Sequence, residues 1–335
     1  MPRKTNTNFF IKNKDLFTNL SSNVNAMNHH LQNIEIVRRA QSQSQHPTYK
    51  VGALIVSDEH QTAKANFFPD ELYKHFGENQ KLGNASITVH AEIAAMLEAP
   101  KTDGASLYVT DLPCPNCAKS MTVAGIQEIY IDENAFESKL GKKMKPFFED
   151  VSLTLLTHAG IQVSKVGEEV TPLNTPKTQR HKSTRPAYAE PESALIEHIE
   201  QHQPEEPFAA CFASDHDGKQ HFLYANANPT HGLDESQIQT ISQIQTKYKP
   251  VIKPINQLLM LSARHGLEID PNNFYSSQAP TSREWVNLIG AGLPAPYIEN
   301  PDISFDEWGL DAMKELQTIN LQKKSECYRF TPTIS

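Results

Sequence analysis

Four side chains in this sequence could do chemistry together: His90 and Glu92 in His90-Ala91-Glu92, and Cys114 and Cys117 in Pro113-Cys114-Pro-Asn-Cys117. One imidazole and two thiolates fill three positions around a metal ion and leave a fourth for water, as a catalytic zinc needs. Zinc lowers the pKa of a bound water from ~15.7 to ~7 and so supplies hydroxide at neutral pH. Glu92, two residues from His90, is poorly placed to share the ion with it. It can reach the water instead, take its proton and pass it on. Two blander readings exist for the cysteine pair. Half of a structural zinc site would need further protein ligands, but Cys211 and Cys327 lie far along the chain. A thioredoxin-like redox pair would leave His90 and Glu92 without a role.

The elements around these residues suit that use. Apolar residues at helical spacing from Met27 to about Ser44 predict a helix. Residues 49–56 read as a buried strand, 57–60 as a turn and 62–67 as a return strand. Residues 69–87 read as a loop. A helix is expected over 89–97, a strand over 106–110 and a helix over 117–125 closed by glycine. Strands over 129–131 and 161–166 flank a helix over 147–158. His90 and Cys114 thus open helices, whose N-termini favour thiolate over thiol. The order predicts an α/β fold, a three-layer α/β/α sandwich with a mixed sheet.

The two motifs, in this order and each before a helix, match the zinc-deaminase signature. Over roughly residues 27–166 the sequence resembles the cytidine and deoxycytidylate deaminase superfamily. Residues 107–126 look most like the deoxycytidylate branch, where a Pro-Cys-x-x-Cys-Ala segment runs into an Ala-Gly-Ile helix end. The resemblance implies Zn2+ held by His90, Cys114 and Cys117, with Glu92 as proton shuttle. It also implies that Asn66 contacts the substrate sugar and that the Ala91 N–H meets the base. The substrate implied is a nucleoside or nucleotide of cytosine, and the assembly implied is a homo-oligomer, a dimer. Two departures stand out: Ile93, Ala94 and Ala95 follow the His-x-Glu segment where relatives often carry a further acid, and no phosphate-binding arginine is evident. Lys64, Lys74, His75 and Lys81 flank the site loop as possible substitutes.

The chain has 335 residues, enough for two domains. Its net charge of −8 argues against polymer binding, although a local basic patch remains open. Four cysteines are too few for a disulfide framework, and no run is long enough to span a membrane. The N-terminus lacks the apolar core of a signal peptide, so a soluble, cytoplasmic protein is expected. The expected division is a flexible arm over 1–23, a catalytic domain over 24–168, a linker over 169–190 and a second domain over 191–335.

The second domain reads as a worn copy of the first. Residues 208–215 mirror 51–58, Ala225-Asn226 mirrors Ala65-Asn66, and residues 274–293 mirror 107–126. Cys114 then falls on Thr281 and Cys117 on Glu284, while His90 and Glu92 fall near Ile255 and Gln257. No zinc site survives there. Cys211, Trp285 and Trp308 read as packing residues. The chemistry leaves other functions open: a deaminase acting on tRNA or another nucleic acid, a purine deaminase, or a non-catalytic nucleotide-binding regulator.

Overall fold

A computed structural model of the chain describes residues 11–77, 81–180, 207–244, 248–293 and 295–321. The long helix α1 (Ile11–Ser42) contains neither proline nor glycine, and it begins within the segment that reads as an arm. Residues 1–10, the chain beyond 321, with Cys327, and residues 181–206, which include the last part of the 169–190 linker, lie outside the described residues.

A hairpin follows, β1 (Gly52–Val56) and β2 (Gln61–Ala65), paired from Gly52↔Ala65 to Val56↔Gln61. Gly52 is required here by close approach, since a Cβ would lie 2.2 Å from the Val37 carbonyl of α1. Residues 69–87 are not a bare loop. They hold α2 (Asp70–Phe76) and a small hairpin, β3 (Lys81–Leu82) with β4 (Ala85–Ser86), anchored by fully buried Leu72 and Leu82. Then come α3 (Ala91–Glu98), β5 (Ser106–Val109), α4 (Pro115–Ala124) and β6 (Glu128–Asp132). Gly125 ends α4 at φ 73°, a left-handed conformation that only glycine adopts without strain.

The helix read over 147–158 starts earlier. A 3-10 turn (Glu133–Glu137) leads into α5 (Lys139–Phe147), and a π turn (Phe148–Ser152) joins that to α6 (Leu153–His158). After β7 (Gln162–Val166), the first stretch of the expected linker adds an edge strand, β8 (Val170–Pro172). Asn174 then ties the chain back, its Oδ1 accepting from Val163 N–H at 2.7 Å.

These strands form one mixed sheet in the order β2-β1-β5-β6-β7-β8. The pairs β5·β6 and β6·β7 are parallel and the others antiparallel. Side chains alternate between faces. Leu54, Tyr108 and Val166 meet Ile34 and Val37 of α1, while Ala53, Ile55, Leu107 and Ile129 meet α3, α4 and α6. The sheet is therefore covered on both faces, the α/β/α layering that the sequence predicts.

The second half holds β9 (Phe208–Ser214), β10 (Gln220–Asn226), β11 (Asn228–Pro229), α7 (Glu235–Ile244), β12 (Val251–Ile252), α8 (Pro254–His265), β13 (Glu268–Ala279), α9 (Ser282–Gly290), β14 (Tyr297–Ser304) and α10 (Glu307–Thr318). Its sheet runs β10-β9-β13-β14, the order and pair directions of β2-β1-β5-β6. The hairpin registers agree with the sequence repeat, since Gly52↔Ala65 becomes Ala209↔Ala225. The helix before the third strand does not: α3 is capped by His90 and α8 by Lys253, so the match near Ile255 and Gln257 is displaced by two residues. Cys211 and Trp285 are buried as expected, but Trp308 is 43% exposed. The helices α3 and α4 pack on α8, and one continuous core runs through both halves.

Candidate metal centre

His90 is the N-cap of α3 and Cys114 the N-cap of α4, both in extended backbone. An N-cap side chain ordinarily turns back to bond its own helix. Neither does so here, and both are left to face a common point. Pro115 at the first position of α4 fixes the backbone there, and Cys117 follows one turn in, fully buried. The three ligand atoms lie within 4.8 Å of one another. His90 Nδ1 is 3.2 Å from Cys117 Sγ and 3.5 Å from Cys114 Sγ. Tetrahedral zinc with ordinary bond lengths puts nitrogen and sulfur about 3.5 Å apart, so this donor set fits the ion. Among the described residues this is the one such group.

The electrostatics suit a cation. Hydrogen bonding with Cys117 and the charge of His90 hold the Cys114 thiol well below its ordinary value, against burial. Burial pushes Cys117 up, so the pair releases its two protons in separate steps. Burial opposes protonation of His90, but the Cys114 thiolate outweighs it and raises the imidazole. Two helix N-termini add positive potential at the same point.

Glu92 is 5% exposed, on the first turn of α3, and burial raises its carboxyl above the usual range. It interacts with the Cys117 side chain but is not one of the converging ligand atoms. That places a proton-accepting group beside the metal position, where a proton carrier belongs.

The other candidates divide. Ala91 is the first residue of α3, so its N–H has no acceptor within the helix. Asn66 is buried and braces the strand: Oδ1 accepts from Val51 N–H at 2.8 Å and Ser44 Oγ at 2.7 Å, and Nδ2 donates to Tyr49 O at 2.8 Å. Lys64 pairs with Glu98 at 2.5 Å, while Lys74, His75 and Lys81 are exposed. A surface cavity of about 380 Å3 opens on the α1 side of the sheet, between Tyr49, Lys50, Asp111 and Lys139, and includes none of the four motif side chains.

The sequence leaves two roles for the second half, completing an oligomer interface or covering the site of the first, but it marks none of the residues that approach the centre. Tyr248 and Arg283 both sense the charges of Cys114 and Cys117. Lys119, on α4, donates to the carbonyls of Lys249 at 3.0 Å and Val251 at 3.1 Å, which fixes that segment near the centre. No local signal marks such residues, because only the docking of the halves brings them there.

At the equivalent point of the second half, Glu284 stands on α9 where Cys117 stands on α4, three residues after the N-cap. Its carboxylate accepts from Ile255 N–H and from Thr281 N–H, both at 2.9 Å, joining the N-termini of α8 and α9. The cavity left beside it is about 10 Å3.

Comparison with known proteins points the same way as the ligand set. The profile of the cytidine and deoxycytidylate deaminase zinc-binding region matches residues 27–133. A stretch of 127 residues, 37% of this chain, is 30% identical to 83% of an uncharacterized deaminase in the luxG 3′ region of Aliivibrio fischeri. Over 96 residues, 26% of this chain, it is 32% identical to deoxycytidylate deaminase of Homo sapiens, covering 54% of that protein. The structure of a dCMP deaminase from the cyanophage S-TIM5 aligns with 41% of this chain and 97% of its own, at 20% identity and a TM-score of 0.28.

Proposed function

Because this chain belongs to the cytidine and deoxycytidylate deaminase zinc-binding family, we propose that it hydrolyses the amino group of a cytosine nucleoside or nucleotide to give the uracil form and ammonia. The observation that carries this is the convergence of His90, Cys114 and Cys117 with Glu92 beside them. His90 Nδ1 and the two sulfurs would hold zinc, which when bound supplies an activated water at neutral pH. Glu92 takes one proton from the attacking water and gives it to the ring nitrogen; it then carries the second, from the new hydroxyl, to the amino group, which leaves as ammonia while the carbonyl forms. Its raised pKa suits both halves of that transfer. The Ala91 N–H, unpaired within its helix, orients the base. Asn66 contributes to the sugar through the amide hydrogen not given to Tyr49.

In this reading the second half is the same fold without metal ligands, and Glu284 fills the place of the ion. In the same reading, resting on the family resemblance alone, the protein is a cytoplasmic homodimer. Among the described residues no helix is long and apolar enough to cross a membrane. A panel of cytosine, adenine and guanine nucleosides and nucleotides, single-stranded RNA and DNA, assayed for ammonia release, tests the substrate assignment. Cytosine monomers should be preferred, and exclusive turnover of a purine or of polymer would overturn it.

A further inference from the structure

Arg283 reaches the first half's site from the second. It is the second residue of α9, whose first turn sits on the segment running into His90. Asn84 N–H donates to Ser282 Oγ at 3.4 Å, and Gly83 N–H donates to Glu315 Oε2 at 2.9 Å. At the far end of α9 a Cβ on Gly290 would lie 2.3 Å from Val89 Cγ2, so the helix lies close along this segment. Held in this way, Arg283 Nη1 donates to Thr88 O at 2.8 Å, two residues before His90.

The guanidinium is partly buried, and the charges acting on it are those of Cys114, Cys117 and Tyr248. Among the described residues it makes no ion pair with a carboxylate. An arginine carries five N–H donors in a planar fork that suits the oxygens of a phosphate or carboxylate. Thr88 O uses part of that fork and leaves the rest. A partly desolvated guanidinium that has no carboxylate partner among the described residues favours a ligand that brings an anionic oxygen. Of the lysines that flank the site loop, Lys64 is tied to Glu98, and Lys74 and Lys81 are exposed.

Tyr248 forms a second wall from the same half. Its ring meets Phe147 edge-on at 5.5 Å, and Lys119 anchors the residues just after it. We propose that the second half completes the site of the first, with Arg283 as the specificity-determining residue that reads a phosphate monoester on the substrate. This rests on the deaminase reading above and assigns the degenerate half a direct part in substrate choice.

The test uses the full chain, zinc-loaded, as wild type, R283Q and R283K. Calorimetry measures the affinity for two unreactive product analogues, uridine and uridine 5′-monophosphate. Wild type should bind the monophosphate more tightly, and R283Q should reduce that preference about 10- to 100-fold, the range for losing hydrogen bonds to a charged group. R283K, which keeps the charge but not the fork, should restore part of it. In parallel, the ratio of kcat/KM for cytidine monophosphate over cytidine should fall with the same rank order. Equal binding of the two ligands by wild type, or an equal proportional loss for both in R283Q, would overturn the proposal by reducing Arg283 to a structural role. If wild type deaminates no cytosine compound yet the binding preference still depends on Arg283, the deaminase reading fails and this assignment stands.

Discussion

Glu284 Oε1 accepts a hydrogen bond from the Ile255 N–H at 2.9 Å, tying α9 to α8 at the place where Cys117 meets His90 in the first half. The same carboxylate accepts from the Thr281 N–H and hydroxyl, in a complete capping box. One carboxyl group therefore satisfies two helix N-termini that, in the other half, face the candidate metal position. E284A should lose several of these bonds and leave a void, destabilising the chain by about 2–4 kcal/mol. E284Q should cost less, because burial already raises the Glu284 carboxyl toward its neutral form. Denaturant unfolding measures both. Wild-type stability in E284A would refute the strut.

The metal ligands should behave differently. C117S and H90A should each lower zinc content well below one ion per chain, measured by elemental analysis after extensive dialysis, because three donors are the minimum this site offers. Full zinc retention in either would mean that other groups hold the ion.

Asp111 gives a pH signature. Burial raises its carboxyl from 3.8 to about 6, against hydrogen bonds from Ser138 Oγ at 2.8 Å and Leu112 N–H at 2.8 Å. The folded chain thus keeps this proton after the unfolded chain has lost it. Its contribution to stability falls as pH rises from about 4 to about 6, then stays flat. D111N, which cannot ionise, should match wild type near pH 4 and exceed it by about 1–3 kcal/mol at pH 7. A difference independent of pH would contradict this.

Asp103 fastens the halves. Its Oδ1 accepts from Arg180 Nη1 at 2.6 Å and from Arg264 Nε at 3.0 Å, and Arg264 is 1% exposed. Burial opposes ionisation of Asp103, but these guanidiniums prevail and lower its carboxyl below 3.8. The ionised form is therefore favoured by folding, and the stabilisation is lost as pH falls below that value. D103A should cost about 1–3 kcal/mol, seen in thermal unfolding at pH 7. No loss would show that the halves are held by apolar packing alone.

The metal centre was legible in the sequence because it is local. His90, Cys114 and Cys117 must be those residue types at the starts of two helices, and Pro115 and Gly125 mark the ends of α4. The α/β/α layering with a mixed sheet was legible from the alternation of element types, while the strand order comes from the structure. The parts that escaped are settled by tertiary contact. Leu72 and Leu82 are single apolar residues whose burial creates α2 and a hairpin within an otherwise polar stretch. Pro172 suggested a linker, yet proline is tolerated at the end of edge strand β8. The two-residue slip at α8 could have been avoided by reading Pro254 as a first helical position, which makes Lys253 the cap. Arg283 gave no signal at all.

The proposed reaction requires zinc on His90, Cys114 and Cys117 with Glu92 as the proton carrier. Ammonia release from cytidine, deoxycytidine and their monophosphates, measured for wild type and E92Q with zinc quantified in the same samples, tests it most directly. Both proteins should carry about one zinc, and E92Q should be slower by about 10²- to 10⁴-fold on at least one cytosine compound. Equal rates at equal zinc content, or no ammonia from any cytosine compound with the zinc-loaded wild type, would contradict it.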